Sequence, residues 1–266
     1  MLGAIIGDVI GSYYEHFPTK YTDFDLFSEN SCFTDDTVLT VAVADWLLHG
    51  KELRTYLYDY VDRYPGVGYG GTFRTWALCR ESEPYGSWGN GSAMRVAPVG
   101  YCESTLAETL RVAEETAAVT HNHPDGVLGA TAVAGCVYVA RTGGTKQDIR
   151  EFMDAEIGYD VSMPIDQLRP FYKFDVSCKG SVPHAIRSFL EADSVEQSIR
   201  LAVSMGGDAD TMACIAGAIA EPFFGGVPET LWRPTEQRLD SQLLRITAEF
   251  RERFGCPALD GDSTDA

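Results

Sequence analysis

Three glycines spaced four residues apart, Gly3, Gly7 and Gly11, constrain this chain before any other feature does. On a helix that spacing lines one face with glycine. Each glycine costs an exposed helix about 1 kcal/mol relative to alanine, so three of them on one face point to a second backbone that comes too close for a Cβ. Residues 3–12 therefore read as a helix pressed against another helix. Asp8 interrupts the apolar pattern and Glu15 follows where the helix should end. Carboxylates are rarely fully buried without a partner, so for both acids a solvated position and a buried, partnered one stand level.

The remaining periodicity is helical. Residues 36–48 are almost entirely apolar and stop at Gly50, and residues 212–220 are wholly apolar and stop at Pro222. A run of that length favours helix over strand, and a helix apolar all round is a buried one. Residues 126–140, rich in Ala and Gly, read the same way. Further helices are expected at 51–64, near 79, at 105–119 behind the capping box Thr105/Glu108, and at 145–155. Two more follow at 183–192, with Pro183 near its start, and at 194–205 behind Ser194/Gln197. Leu239, Leu243, Ile246, Phe250 and Phe254 give the stripe of a last helix ending at Gly255. Residues 16–33, the glycine-rich 65–71 and residues 157–182 read as loops. No alternating strand pattern and no linker appears. The chain is expected to be one all-α domain over residues 1–256, with 257–266 as a disordered tail.

Two acidic stretches open the two most apolar runs: Phe33-Thr34-Asp35-Asp36-Thr37 and Gly206-Gly207-Asp208-Ala209-Asp210-Thr211. Helix capping accounts for one acid at such a position, but not for two acids bracketed by threonines. Carboxylate and hydroxyl oxygens together suit a hard divalent cation better than zinc. If the fold gathers these carboxylates, they must take up protons or share cations. Neither stretch has the ligand spacing of a calcium-binding EF-hand loop.

The middle of the chain is quieter. Residues 88–95, Trp-Gly-Asn-Gly-Ser-Ala-Met-Arg, hold an Asn-Gly turn whose small residues leave backbone N–H groups open to an anion such as a diphosphate; most such turns are only turns. Residues 120–126, Thr-His-Asn-His-Pro-Asp-Gly, are incomplete as a zinc site. A solvated loop before a Pro-led helix explains them.

A formal charge of −18 argues against long nucleic acids and anionic membranes as partners, because no basic excess exists to neutralise phosphates. The apolar start of the chain carries Asp8 and is too short to span a bilayer. Seven scattered cysteines with no Cys-x-x-Cys pair argue against a disulfide framework and for a reducing, cytoplasmic compartment.

Taken in order, the glycine-spaced start with Asp8 and Glu15, the stretch 33–37, the turn 89–95, Thr120-His121 and the stretch 207–211 resemble the ADP-ribosylglycohydrolase family. The resemblance covers nearly the whole chain. It implies a single-domain orthogonal helical bundle with a dinuclear magnesium or manganese centre held by Thr34, Asp35, Asp36, Asp208, Asp210 and Thr211. Glu15, Asp36 and Asp210 would be catalytic, Glu15 as a mobile acid near the metals and the ribose. Gly89, Asn90, Gly91, Ser92, Met94 and His121 would hold the diphosphate and ribose. The implied reaction is hydrolysis at the anomeric carbon by a metal-activated water, which frees ADP-ribose from an acceptor, foremost a protein side chain such as arginine, or serine. O-acetyl-ADP-ribose, ADP-ribosylated nucleic acid and a non-enzymatic ADP-ribose-binding role are the alternatives. Ala209 stands where many relatives carry a polar residue between the two aspartates.

Overall fold

The first helix, Leu2–His16, and the helix Ala209–Phe223 pack antiparallel with their backbones in contact. A Cβ on Gly3 would lie 2.1 Å from Gly217 O, one on Gly7 2.1 Å from Ala213 O, and one on Gly11 2.5 Å from Ala209 O. No side chain fits at those distances, which is the physical reason for the glycine spacing. The C-terminal half of the first helix is thereby laid against the N-terminus of its partner. Glu15 and the Asp208/Asp210 pair meet as a direct result.

Both helices are buried along most of their length. The second helix, Asp35–His49, starts where Thr34 Oγ1 accepts the Asp36 N–H at 3.3 Å. A cap of this kind is worth about 1 kcal/mol. It brings the second acidic helix start to the same end of the core.

The computed structural model describes residues 1–260, and the fold is all-α. Its strands, among the described residues, are two two-residue segments, Val227–Pro228 and Leu259–Asp260, paired in parallel. Leu259–Asp260 lies within the segment 257–266 expected as a tail, and residues 261–266 of that segment lie outside the described residues. No helix among the described residues is long and apolar enough to cross a membrane.

Several helices differ from the sequence reading: Glu229–Glu236 was not expected, Ile165–Leu168 lies within the expected 157–182 loop, and two boundaries have a visible cause. The helix expected at 183 begins at Cys178, because the Ser177 side chain caps it by accepting the Gly180 N–H at 2.9 Å. Pro183 consequently sits inside the helix. The 145–155 segment is an α-helix, Lys146–Phe152, with a full capping box between Thr145 and Asp148, and it then widens into a π turn, Met153–Ile157.

Candidate active site

The helix starts at Asp35 and Ala209 open onto one cavity of about 930 Å³. Glu15, Thr34, Asp35, Asp36, Asp208, Asp210 and Thr211 line it on one side, and Gly89, Asn90, Gly91, Met94 and His121 line it as well. Carboxylate oxygens of Glu15, Asp208 and Asp210 lie within 4.8 Å of one another. The Thr211 hydroxyl donates to Asp36 Oδ2 at 3.3 Å and so ties the two helix starts together. Asp208 Oδ2 accepts Asn90 Nδ2–H at 2.7 Å, which brings the 89–94 turn to the acidic wall.

These acids are held against their preference. Burial first, then the charges of Asp8, Asp35 and Asp208, push the Asp36 carboxyl well above its usual range. Asp210 is raised the same way by burial, Asp208 and Asp36. Burial and Asp8 push Asp35 up to about 8. Glu15, half-buried at the rim, is raised by burial and by Asp208. Two helix N-termini aimed at the group ease the repulsion but do not cancel it. Asp36 Oδ1 is buried and has no hydrogen-bond partner among the described residues. Crowded carboxylates, an orphaned oxygen and threonine hydroxyls form an all-oxygen donor set, and that set fits hard divalent cations.

Asp8 is not solvated. It is fully buried, and its carboxylate accepts four hydrogen bonds from the start of the second helix. Oδ2 takes the Thr34 N–H at 2.9 Å, the Thr37 N–H at 3.1 Å and the Thr37 hydroxyl, while Oδ1 takes the Thr34 hydroxyl at 2.6 Å. Burial still raises its pKa, with the four bonds working against that rise.

The 89–94 turn is anchored at both ends. Asn90 N–H donates to Val176 O at 2.8 Å, and Asn90 O accepts from Ala93 and Met94 N–H, both at 2.9 Å. Among the described residues no hydrogen bond is made by the Gly91 or Ser92 N–H. The Ser92 side chain turns away from the cavity and donates to Gly126 O at 2.6 Å. Met94 is buried beneath the acids, with its carbonyl accepting from Thr40 and Cys214. His121 is buried, not part of a solvated loop, and a Cβ on Gly91 would lie 3.0 Å from its Nε2. The neighbouring His123 is outside the cavity and caps the Pro124–Arg141 helix through Asp125 N–H.

Sequence reasoning gave no role to three parts of this site. Asp8 was undecided because its donors lie 26 and 29 residues away. Val67 O accepts Asp35 N–H at 2.8 Å and Gly68 packs over Asp35, so the glycine-rich loop closes one side of the cavity. Exposed Trp88, Phe174 and Val176 form part of its mouth. The run of glycines was the one sign that could have drawn attention to the loop.

A family model described as ADP-ribosylglycohydrolase matches residues 1–256. The chain is 27% identical to the human protein named ADP-ribosylhydrolase ARH3, over 92% of this chain and 90% of that one. An uncharacterized protein of Archaeoglobus fulgidus is 30% identical over 52% of this chain and 50% of its own. A solved structure titled ADP-ribosylglycohydrolase-related protein complex superposes with a TM-score of 0.73 at 21% identity, covering 94% of this chain and 96% of that one, which speaks to the fold.

Proposed function

The chain belongs to the ADP-ribosylglycohydrolase family, and on that premise we propose that it hydrolyses the glycosidic bond between ADP-ribose and a modified acceptor, foremost a protein side chain such as arginine. One observation carries the reading. The acids of three separate segments, Glu15, Asp35/Asp36 and Asp208/Asp210, converge on a cavity large enough for a nucleotide, beside a turn with open N–H groups.

Asp35, Asp36, Asp208 and Asp210, with Thr34 and Thr211, would hold two divalent cations, magnesium or manganese. Bound there, such cations supply charge neutralisation and acidify a water molecule toward a nucleophile. The protein's own part follows from its charges. Glycosidic cleavage develops positive charge on the ribose ring, and a wall of carboxylates stabilises it. Glu15 sits at the rim with a pKa raised by burial and by Asp208, which makes its carboxylate a stronger base toward the proton of the attacking water. The Gly91 N–H, in the lining of the cavity, makes no hydrogen bond among the described residues and is free to meet a phosphate oxygen. Seven unpaired cysteines support a reducing compartment.

The test is a panel of arginine-, serine-, acetyl- and nucleotide-linked ADP-ribose, assayed with and without magnesium or manganese. Release from the arginine conjugate, lost on chelation and in Asp36→Asn and Asp210→Asn, is expected. Full activity in both variants would sink the cation assignment, and binding of ADP-ribose without release from any conjugate would sink the enzymatic one.

A further inference from the structure

Arg95 is a guanidinium with no exposed surface, set one residue beyond the Gly91–Met94 helix. Its hydrogen bonds run to one place. Nη2 donates to Thr116 O at 3.0 Å and to Thr120 Oγ1 at 2.9 Å, whereas Nε and Nη1 have no partner among the described residues. A guanidinium only donates, so Thr120 accepts there and keeps its own hydroxyl hydrogen to give. The acceptor in hydrogen-bond contact with it is His121 Nδ1, at 2.7 Å.

That contact decides the imidazole tautomer. If Nδ1 carried the proton, Thr120 Oγ1 would accept twice and its hydrogen would be left to the Tyr85 hydroxyl, which approaches Thr120 but, among the described residues, makes no hydrogen bond of ordinary geometry with it; the 2.7 Å contact to Nδ1 is the one that takes the hydrogen. Nδ1 is therefore the acceptor. Burial and the neighbouring Arg95 charge hold His121 neutral by lowering its pKa well below the usual value. A neutral imidazole has one ring hydrogen, which leaves it on Nε2. Among the described residues Nε2 has no hydrogen-bond partner, and it faces Gly91 and Gly89, where added Cβ atoms would lie 3.0 and 3.8 Å away.

We propose that Arg95 and Thr120 are positioning residues that fix His121 as the Nε2–H tautomer, so that the imidazole offers a donor to a ligand oxygen over the 89–91 turn. The ligand's identity, the ADP-ribosyl group, rests on the function proposed above; the tautomer does not. Beside the Gly91 N–H, which has no hydrogen bond among the described residues, the imidazole adds a second neutral donor to the cavity lining. Neutral donors suit a cavity whose opposite wall already requires cations.

The test is two-bond ¹H–¹⁵N correlation of the full-length, ligand-free protein labelled at histidine, with the His121 signals assigned against His121→Asn. The expected spectrum has protonated Nε2 and bare Nδ1, retained in Thr120→Ser and in Tyr85→Phe, whose hydroxyl approaches Thr120. Thr120→Val is expected to give mixed tautomers and to weaken ADP-ribose binding about tenfold, with Thr120→Ser restoring it. Protonated Nδ1 in the wild type overturns the proposal whatever the protein binds. So does a shifted tautomer in Tyr85→Phe, or a Thr120→Val protein with the wild-type tautomer and affinity. An Nε2–H tautomer in a protein that does not bind ADP-ribose upholds the proposal and defeats the proposed ligand instead.

Discussion

The Thr34 hydroxyl donates to Asp8 Oδ1 at 2.6 Å, and this directs the oxygen's lone pairs away from the first helix. One lone pair accepts the Asp36 N–H, and the other is left for the cavity. Under the cation assignment proposed above, Asp8 is thus the group that would leave the Thr34 oxygen usable as a ligand. Asp8→Asn keeps the shape but puts two donors where Thr34 and Thr37 already donate. We expect it to lose about 2–4 kcal/mol of stability in chelator and about 10- to 100-fold in cation affinity. Urea unfolding and calorimetric titration with manganese would measure both. Wild-type cation affinity in a destabilised Asp8→Asn protein would make Asp8 a fold residue only.

The crowded acids also set a pH dependence. A carboxyl whose folded pKa is raised binds its proton more tightly when folded, so it favours folding below its unfolded pKa and loses that contribution as pH climbs to the folded value. For Asp35 the window runs from 3.8 to about 8. Metal-free protein should therefore lose this contribution between pH 4 and 8. Asp35→Asn should be about 1–2 kcal/mol more stable than wild type at pH 8 in chelator, and less stable or equal at pH 4. Magnesium should raise the melting temperature of the wild type more at pH 8 than at pH 5. A variant gain that does not grow with pH would show that Asp35 titrates normally.

The glycine contacts predict a sharp contrast between two similar substitutions. At Gly7 a methyl would meet Ala213 backbone at 2.1 Å, whereas at Gly71 it would meet nothing within 4 Å. Backbone cannot rotate aside as a side chain can. Gly7→Ala should cost at least about 3 kcal/mol, while Gly71→Ala, at the first position of its helix, should be neutral or stabilising by up to about 1 kcal/mol. Chemical unfolding of the two variants side by side would decide it. A mild Gly7→Ala would mean that the helices slide apart cheaply.

What the chain reveals before folding follows the range of the interactions involved. The helix pair was legible because Gly3, Gly7 and Gly11 carry a local cost that only close packing explains. The acidic stretches were legible because their residue types and positions at helix starts are local too. Asp8 could not be assigned, since its burial depends on donors from another helix. His121 looked like loop for the same reason: the 89–91 turn that covers its Nε2, and Arg95, which bonds the Thr120 hydroxyl beside it, are distant in sequence. The Cys178 helix start was missed because Ser177 was not read as a cap. The substrate itself came from the resemblance and from no single interaction.

Asn90 offers a graded test of how far site geometry is transmitted. Ser181 Oγ donates to Ser177 O at 2.7 Å, so toward Asn90 it must accept, and the amide nitrogen lies between Ser181 Oγ at 3.1 Å and Asp208 Oδ2 at 2.7 Å. The nitrogen therefore holds Asp208 directly, and Ser181 only holds the amide. Asn90→Ala removes the donor from the carboxylate and should weaken cation affinity about 10- to 100-fold. Ser181→Ala leaves the Asp208 contact in place and should cost less than about fivefold, one neutral hydrogen bond of about 1 kcal/mol at most. Because Asn90 also anchors the 89–94 turn through its backbone, which alanine keeps, the turn should survive both changes. The measurement is manganese affinity by calorimetry for each variant and for the pair. Equal losses in the two single variants would mean that the chain from Ser177 acts as one rigid unit, and that the amide has no special hold on Asp208.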